Sequence, residues 1–314
     1  MSDRSSRIDW VTFAALGFFW GSSYLFIKIG VETLTPFTLV AGRLAVGAAL
    51  LLVVLVASRI ALPRQPRTYG HLLVMAVLNI VIPFSLITWG EQSIDSALAA
   101  ILNGSVPLFT IVLAALFLSD EPITTNRLVG LALGFLGVVV LTSPSIGAGF
   151  GGSFAGELAM IGSSIAYAAG NVYARRNVRG LHPMVPAFFQ VFLALVITAA
   201  LALTLEHPFN LSIQASSVFS VVWLGIFGSG LAYLAFFRLL ARWGSTRSSL
   251  VAYLLPVVGI VLGFLVLHET IDIRVLIGTA MVIGGVALVN SRFGQRRLFG
   301  RAPSAAAHPG TEPS

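Results

Sequence analysis

Polar and aromatic residues recur at helical spacing along several otherwise apolar stretches of this 314-residue chain. In the first stretch Trp20, Tyr24 and Lys28 stand four residues apart, so a helix would present them on one face. Such groups can hydrogen-bond a polar solute, and a lysine can bind its carboxylate. The candidate pathway residues are Trp20, Ser23, Tyr24, Lys28, Arg43, Asn79, Asn103, Tyr167, Asn171, Gln190 and Tyr253. The alternative is hydrogen bonding between helices without any solute.

Lys28 and Arg43 are the two basic residues inside apolar stretches. A lysine or arginine at the centre of a membrane helix costs about 2.5–3.5 kcal/mol, so each needs a stabilising contact. Arg43 lies about 12 Å along its stretch at 1.5 Å per helical residue, where it could contact a substrate carboxylate or form a structural ion pair. Glu91, at the end of the third stretch, is a candidate partner for either cation. Lys28, near the end of its helix, could instead extend to the membrane interface.

The composition is typical of a membrane protein. Hydrophobic residues make up 57% of the chain and charged residues only 10%, against about 25% charged in soluble domains. Several runs reach the roughly 20 apolar residues that cross a bilayer: about 10–30, 35–57, 70–89, 94–118, 126–143, 154–174, 183–205, 216–237, 246–267 and 272–291. The predicted fold class is therefore an all-α membrane protein with ten transmembrane helices.

The sequence excludes several kinds of chemistry. It contains no cysteine, so it has no disulfide, thiolate metal ligand or cysteine nucleophile. It has no zinc-protease, phosphate-loop or nucleophile-elbow motif, and the glycine-rich "GAGFGG" at 147–152 follows no strand. The five histidines fall at the ends of apolar runs or in the tail. We therefore expect no enzyme activity, metal, cofactor or nucleic-acid partner.

The second half of the chain repeats the first. "LSDEPITTNRLVG" at 118–130 matches "LHETIDIRVLIG" at 267–278, with Glu121 opposite Glu269, and Pro107 matches Pro256. Each copy holds five apolar runs, and five is odd, so the second copy would enter the membrane inverted, as in many transporters. Glu121 and Glu269 are predicted to cap or turn the helix that follows each of them, with a gating role as the alternative.

Prolines and glycines fall inside the apolar runs. Pro83, Pro107 and Pro256 interrupt helical hydrogen bonding, and we predict hinges there, with fixed kinks as the alternative. Glycines form small faces on the fifth and tenth runs, which suit close helix packing or, alternatively, a homodimer surface: Gly130, Gly134, Gly137, Gly278 and Gly285. The chain is therefore expected to be a monomer or a homodimer.

Basic residues divide unequally between the two sides of the membrane. With the N-terminus in the cytoplasm, 16 of the 19 lysines and arginines fall in cytoplasmic segments, and the outer connections hold only Arg274. The positive-inside rule favours that orientation, with both termini cytoplasmic. The predicted organisation is a cytoplasmic N-terminus (1–9), a first repeat (10–143), a linker (144–153), a second repeat (154–291) and a disordered basic cytoplasmic tail (292–314).

The motifs together resemble the EamA-type branch of the drug/metabolite transporter superfamily. They are "WGSSYLFIK" in the first run, a proline and then "GRL" opening the second, and "E…L.G..L...GV" ending each half. The resemblance covers roughly 10–290 and implies an inner-membrane carrier of ten helices that exports amino acids or other small metabolites. It also implies a cavity between the first four helices of each half, with Trp20, Ser23, Tyr24 and Lys28 near the pathway and Arg43 as the family's second-helix arginine. Tyr167 and Gln190 depart from the pattern, where the first half has Trp20 and Arg43.

These observations predict an inner-membrane exporter of small, amino-acid-like or weakly anionic metabolites that works by alternating access. The alternatives are an exporter of lipophilic drugs, a lipid scramblase and a structural membrane subunit. All twelve acidic residues lie in connections, in tails or at the ends of apolar runs, and no histidine lies at mid-membrane. Proton-driven carriers relay protons through such groups, so we expect transport down the gradient of the substrate.

Overall fold

The computed structural model describes residues 7–118, 123–147, 152–178, 180–291 and 297–299. Long helices joined by short connections account for nearly all of these residues. In chain order the helices are α1 Arg7–Gly30, α2 Pro36–Ala57, α3 Pro66–Gly90, α4 Ser96–Phe117, α5 Thr125–Gly147, α6 Gly152–Asn177, α7 Met184–Glu206, α8 215–248, α9 249–267 and α10 Ile273–Asn290.

In the part of the chain that the structure describes, nine helices are long and apolar enough to cross a membrane. They are all those named except α6, which has 26 residues but a more polar sequence. The chain is therefore a multi-pass membrane protein. Helical structure satisfies most backbone hydrogen bonds within each span, as a hydrocarbon environment requires.

Local sequence sets most helix ends. Pro36 and Pro66 occupy the first turns of α2 and α3, where the missing N–H costs nothing. His268 adopts a left-handed conformation (φ 55°) at the end of α9. Asp272 then caps α10, because its Oδ1 accepts a hydrogen bond of 2.8 Å from the main-chain N–H of Val275.

Helix α8 extends beyond the predicted span. The apolar run ends near 237, yet the helix continues to Ser248. Arg238 and Arg242 are four residues apart, so they share one face of this extension. Both form ion pairs with the buried Asp9 of α1, at 3.6 and 2.9 Å. Tertiary pairing therefore stabilises a helical end that hydropathy alone does not predict.

Two short strands depart from the all-helical prediction. Strand β1 (Ile123–Thr124) pairs antiparallel with β2 (Arg297–Phe299), with Ile123 opposite Phe299. Residues 297–299 are the one described part of the tail that was predicted to be disordered. The ladder holds this part of the tail beside the start of α5.

Three pairs of helices at the same position in each half pack antiparallel to each other. In α4 and α9, a Cβ on Gly104 would contact Pro256 and a Cβ on Gly259 would contact Ala100. In α5 and α10, Gly130 faces Gly285, and Gly137 faces Gly278. Helices α2 and α7 also pack together, with the end of α7 beside the start of α2. Helix α1 packs on α8 and α9, and α6 correspondingly packs on α3 and α4.

The contacts between connections define two ends of the bundle. At one, which we call the Glu269 end, Lys28 donates to the Glu91 carbonyl, Thr35 donates to Glu206, and Arg274 donates to the Leu141 carbonyl. The opposite end, the Asp9 end, carries the Asp9 ion pairs and the bonds from Asn126 to the end of α10. Of the arginines in the described ranges, those at the Asp9 end are Arg7, Arg59, Arg64, Arg67, Arg127, Arg175, Arg176, Arg238, Arg242, Arg247 and Arg297.

Candidate functional site

A buried arginine lies between the two halves of the bundle. Arg43 of α2 is only 3% exposed. Its Nε donates to Ser229 Oγ of α8 over 3.4 Å, and its guanidinium carbon lies 4.3 Å from the centre of the Phe84 ring of α3. The ring face attracts the cation but carries no net charge. Among the described residues no carboxylate forms an ion pair with Arg43, so the alternative of a close pair with Glu91 is not realised.

Three tyrosines lie within electrostatic range of Arg43: Tyr24 of α1, Tyr167 of α6 and Tyr233 of α8. Tyr24 is buried, and the other two are partly buried. Each phenol can both donate and accept a hydrogen bond. Helices of both halves therefore contribute polar groups to one site around a single cation.

Irregular helical turns flank this site. Asn79 lies in the π-helical turn Val77–Val81 of α3, and Ser229 lies in the π-helical turn Leu224–Leu231 of α8. Asn79 Nδ2 donates to Gln190 Oε1 of α7 over 3.0 Å. In each case a polar residue of α2 or α7 meets the π-helical turn of the opposite half. Such turns are rare in helices and are frequent at functional sites.

The three candidate hinge prolines each follow a break in regular α-helix. Pro83 is the second residue after the π-helical turn of α3. Pro107 follows a non-helical turn at Gly104 and Ser105 inside α4. Pro256 follows the 3-10 turn Ser249–Tyr253 that opens α9. The equivalent helices α4 and α9 are thus interrupted at equivalent places.

Lys28 and Glu269 join helices at the Glu269 end. Lys28 Nζ donates to the main-chain carbonyls of Glu91 and Ile94, both at 2.7 Å. The oxygens of Glu269 accept from the main-chain N–H groups of Ser96 and Ala97, at 2.7 and 2.9 Å. Glu269 therefore caps α4 of the other half, and the prediction that it caps the helix after it is wrong. Asp272 performs that role for α10.

The remaining predicted pathway residues lie in different surroundings. Trp20 packs on Phe236 in a separate apolar cluster. Tyr253 accepts a hydrogen bond of 3.1 Å from Asn290 and packs near α10, so it does not join the Arg43 site. The other three divide by exposure. Ser23 and Asn103 are buried, with Asn103 bonded to Ser163, while Asn171 is exposed. Of these, Ser23 lies beside the Arg43 site, because a Cβ on Gly228 would come within 3.0 Å of Ser23 Oγ and 2.9 Å of the Arg43 guanidinium. Glu121 lies outside the described residues.

Sequence reasoning missed several residues that form the site. Phe84, Ser229 and Tyr233 were not predicted, because nothing in the sequence says which residues of one half meet Arg43 of the other. The sequence did contain one indication that another residue approaches closely here, because Ser229 lies between two glycines in "GSG". A Cβ on Gly228 would come within 2.9 Å of the Arg43 guanidinium, so the glycine makes room for the arginine.

The glycine faces of α5 and α10 pack against each other inside the chain. A Cβ on Gly285 would lie 2.6 Å from the Gly130 carbonyl oxygen, and one on Gly137 would lie 2.9 Å from the Gly278 carbonyl oxygen. The main chains therefore approach closely, as small residues allow. This intramolecular contact occupies the surface that was the alternative site for a homodimer.

Membrane-crossing helices surround a buried arginine that forms no ion pair with a carboxylate in the described ranges. This arrangement suits a membrane transporter that binds a polar solute. Comparison with known proteins gives the family. The EamA-like transporter family matches residues 10–143 and 154–291. The chain belongs to this family.

Relatives match over nearly the whole chain. The uncharacterized inner membrane transporter YedA of Escherichia coli K12 is 30% identical over 279 residues, which cover 88% of each chain. The uncharacterized transporter YvbV of Bacillus subtilis is 27% identical over 281 residues, covering 89% of this chain and 90% of the relative. A solved crystal structure shares the fold with a TM-score of 0.65 at 22% identity, over 90% of this chain and 96% of the other.

Proposed function

We propose that this chain exports small, amino-acid-like or weakly anionic metabolites across the inner membrane by alternating access. The observation that carries the proposal is the buried Arg43. A guanidinium taken out of water without a carboxylate partner is strongly unfavourable. A substrate carboxylate would supply the missing charge and accept two parallel hydrogen bonds from the planar guanidinium.

Ten transmembrane helices in two inverted halves are part of the proposal. Helix α6 is the tenth span, since its 26 residues exceed the roughly 20 that a bilayer needs. Its lower hydropathy reflects polar residues such as Ser163, Ser164 and Tyr167, and the first two of these are buried. The antiparallel packing of α4 with α9 and of α5 with α10 supports the inversion, because inverted copies place equivalent helices in opposite directions.

The orientation follows from the charges at the two ends. The described arginines cluster at the Asp9 end, whereas Arg274 is at the Glu269 end. We assign the Asp9 end and both termini to the cytoplasm. The relative YedA is named an inner membrane transporter, which supports the same location here. The chain acts as a monomer, or as a homodimer through surfaces other than the α5 and α10 glycine faces.

Alternating access requires backbone positions that bend in both halves. The paired interruptions at Pro107 of α4 and Pro256 of α9 supply them, together with the π-helical turns of α3 and α8. Lys28, Glu206 and Glu269 hold the Glu269 end together through bonds to main-chain groups. Opening that end to the outside would break these bonds, and the arginine site would then face the periplasm.

The test is export from vesicles of known content. Purified protein is reconstituted into liposomes loaded with a mixture of amino acids, organic acids, sugars and a lipophilic cation, and the compounds that leave are identified by mass spectrometry. We expect carboxylate-bearing compounds to leave faster than from protein-free vesicles, with no release of the cation. Selective release of the lipophilic cation would instead support a drug exporter. Movement of fluorescent lipid between leaflets without solute release would support a scramblase.

A further inference from the structure

Glu91 is a buried acid next to the Arg43 site. It follows the last residue of α3, its side chain is 0% exposed, and neither carboxylate oxygen has a hydrogen-bond partner among the described residues. An ionised carboxylate in such a place is strongly unfavourable unless a cationic group binds it. The sequence offered Glu91 only as a partner for Lys28 or Arg43.

Among the described residues, no charged neighbour of Glu91 forms an ion pair with its carboxylate. Lys28 of α1, Arg43 of α2 and Glu269 after α9 are within electrostatic range. Lys28 directs two of its three N–H donors to the main-chain carbonyls of Glu91 and Ile94. Arg43 bonds Ser229, and Glu269 accepts from main-chain N–H groups of α4. The side chain of Glu91 is thus left available for an external cationic group.

Thr88 provides a further acceptor beside Glu91. It lies three residues earlier on α3, which places it on the same helix face. Thr88 is 0% exposed, and its hydroxyl also lacks a partner among the described residues. Two carboxylate oxygens and one hydroxyl make three acceptors, and an ammonium group has three N–H donors. A bound proton would satisfy only one of them.

The spacing between Glu91 and Arg43 suits a small zwitterion. The Arg43 guanidinium stacks on Phe84, seven residues before Glu91 and so roughly 10 Å away along the helix. Helical side chains tilt toward the N-terminus, which shortens the distance from the Glu91 carboxylate to the guanidinium. A small molecule that carries an ammonium and a carboxylate group on one carbon can therefore contact both through charge-assisted hydrogen bonds of about 2.8 Å each.

We infer that Glu91 and Thr88 bind the ammonium group of a zwitterionic substrate whose carboxylate binds Arg43. The inference rests on the proposed function and narrows it, because it makes Glu91 the residue that selects amino acids over carboxylic acids of the same shape.

The test compares pairs of compounds that differ only at the ammonium group. Proteoliposomes are loaded with alanine and lactate, leucine and 2-hydroxy-4-methylpentanoate, and phenylalanine and phenyllactate. Export is measured per folded molecule for the wild type, Glu91→Gln and Thr88→Val. Glu32→Gln, an exposed residue at the same end of the bundle, is the matched control.

We expect Glu91→Gln to slow export of the amino acids by about 10- to 100-fold, the effect of losing a hydrogen bond to a charged group, and export of the hydroxy acids by less than about twofold. Thr88→Val should shift the same ratio by a smaller factor, and Glu32→Gln should not shift it. If Glu91→Gln fails to fold, the Thr88→Val ratio and the thermal stabilisation of the wild type by leucine against its hydroxy analogue decide the question.

Failure of the ammonium site and failure of the proposed function give different results. If Arg43→Gln slows both members of each pair but Glu91→Gln leaves their ratio unchanged, the carboxylate site stands and the ammonium site is wrong. If Glu91→Gln slows both members equally and removes the dependence of export on pH, Glu91 binds a proton and the inference is overturned. If the wild type exports neither member of any pair, the proposed function fails as well.

Discussion

Asn79 of α3 donates a hydrogen bond to Gln190 of α7 over 3.0 Å, and Arg43 of α2 donates one to Ser229 of α8 over 3.4 Å. The two contacts join equivalent pairs of helices with the two halves exchanged. Both contacts link a polar residue to a π-helical turn of the opposite half. The amide pair is neutral: Gln190 Nε2 also donates to the Pro186 carbonyl, while Asn79 Oδ1 has no partner among the described residues. The contact between Arg43 and Ser229 leaves the positive charge of the guanidinium unneutralised. The two contacts therefore join equivalent helices but differ by one charge.

Arg43→Gln makes the two contacts alike and tests the role of that charge. We expect transport of acidic and zwitterionic compounds to fall by about tenfold or more, since a charge-assisted hydrogen bond is lost, and transport of neutral compounds to change much less. Export from proteoliposomes, normalised to folded protein, measures this. Arg176→Gln, an exposed arginine at the Asp9 end, is the control. Lower yield with unchanged transport per molecule would make Arg43 a purely structural residue.

Gly285 and its neighbour Gly284 form a matched pair for testing the packing of α5 on α10. A Cβ on Gly285 would lie 2.6 Å from both the Gly130 carbonyl oxygen and the Gly134 nitrogen, whereas one on Gly284 meets only Leu133 at 3.8 Å. Gly285→Ala should therefore destabilise the protein by about 1–3 kcal/mol through overpacking, and Gly284→Ala should have little effect. Thermal unfolding in detergent measures both. Equal melting temperatures for the two variants would contradict the close approach.

Asp272 makes the stability of the Glu269 end depend on pH. The N–H of Val275, together with the Arg274 guanidinium, holds the pKa of the Asp272 carboxyl below its ordinary value. A lowered pKa in the folded protein stabilises it above the ordinary value of about 3.9, and this contribution is lost as pH falls through the lowered pKa. Asp272→Ala should lower the melting temperature at pH 7 by a few degrees. The difference in melting temperature from the wild type should shrink below about pH 4. A difference that stays constant with pH would show that the ionised Asp272 carboxylate is not the source of the stabilisation.

Hydropathy and spacing predicted the class of fold because a bilayer leaves few alternatives. The apolar runs correspond to helices, and the short connections fall where prolines and polar residues interrupt them. The exceptions have tertiary causes. Helix α8 continues past its apolar run because Arg238 and Arg242 pair with Asp9, more than 220 residues earlier in the chain.

The site was predicted less completely than the fold, because tertiary contacts between the two halves form it. Tyr24, Arg43 and Tyr167 were recognisable as polar groups in apolar surroundings, and the structure brings them within electrostatic range. Their partners come from the other half, at positions that no local pattern specifies. Glu269 shows why a local pattern is not sufficient. The sequence indicated that it caps the next helix, whereas its carboxylate accepts from the N–H of Ser96 at the start of α4.

The energy source is open to direct measurement. The described acids are at helix ends or in connections, and we predict transport down the substrate gradient without an added ion gradient. Vesicles loaded with an exported amino acid should lose it at the same initial rate with and without an imposed pH gradient. Accumulation against the substrate gradient that disappears when the pH gradient is dissipated would contradict this. A substrate that itself carries a titratable proton must be excluded by repeating the assay with one that does not titrate in the range used.

The absence of cysteine makes the topology straightforward to test. Four single substitutions place one thiol at each position: Ser58→Cys and Glu121→Cys on the cytoplasmic side, and Gln92→Cys and Thr270→Cys on the outer side. An impermeant maleimide added to intact cells should label the second pair, and the first pair only after the membrane is opened, because inverted halves put the two repeated glutamate motifs on opposite faces. Labelling of Glu121→Cys and Thr270→Cys from the same side would refute the inverted arrangement, whereas exchange of the two pairs would keep the inversion and reverse the assigned orientation.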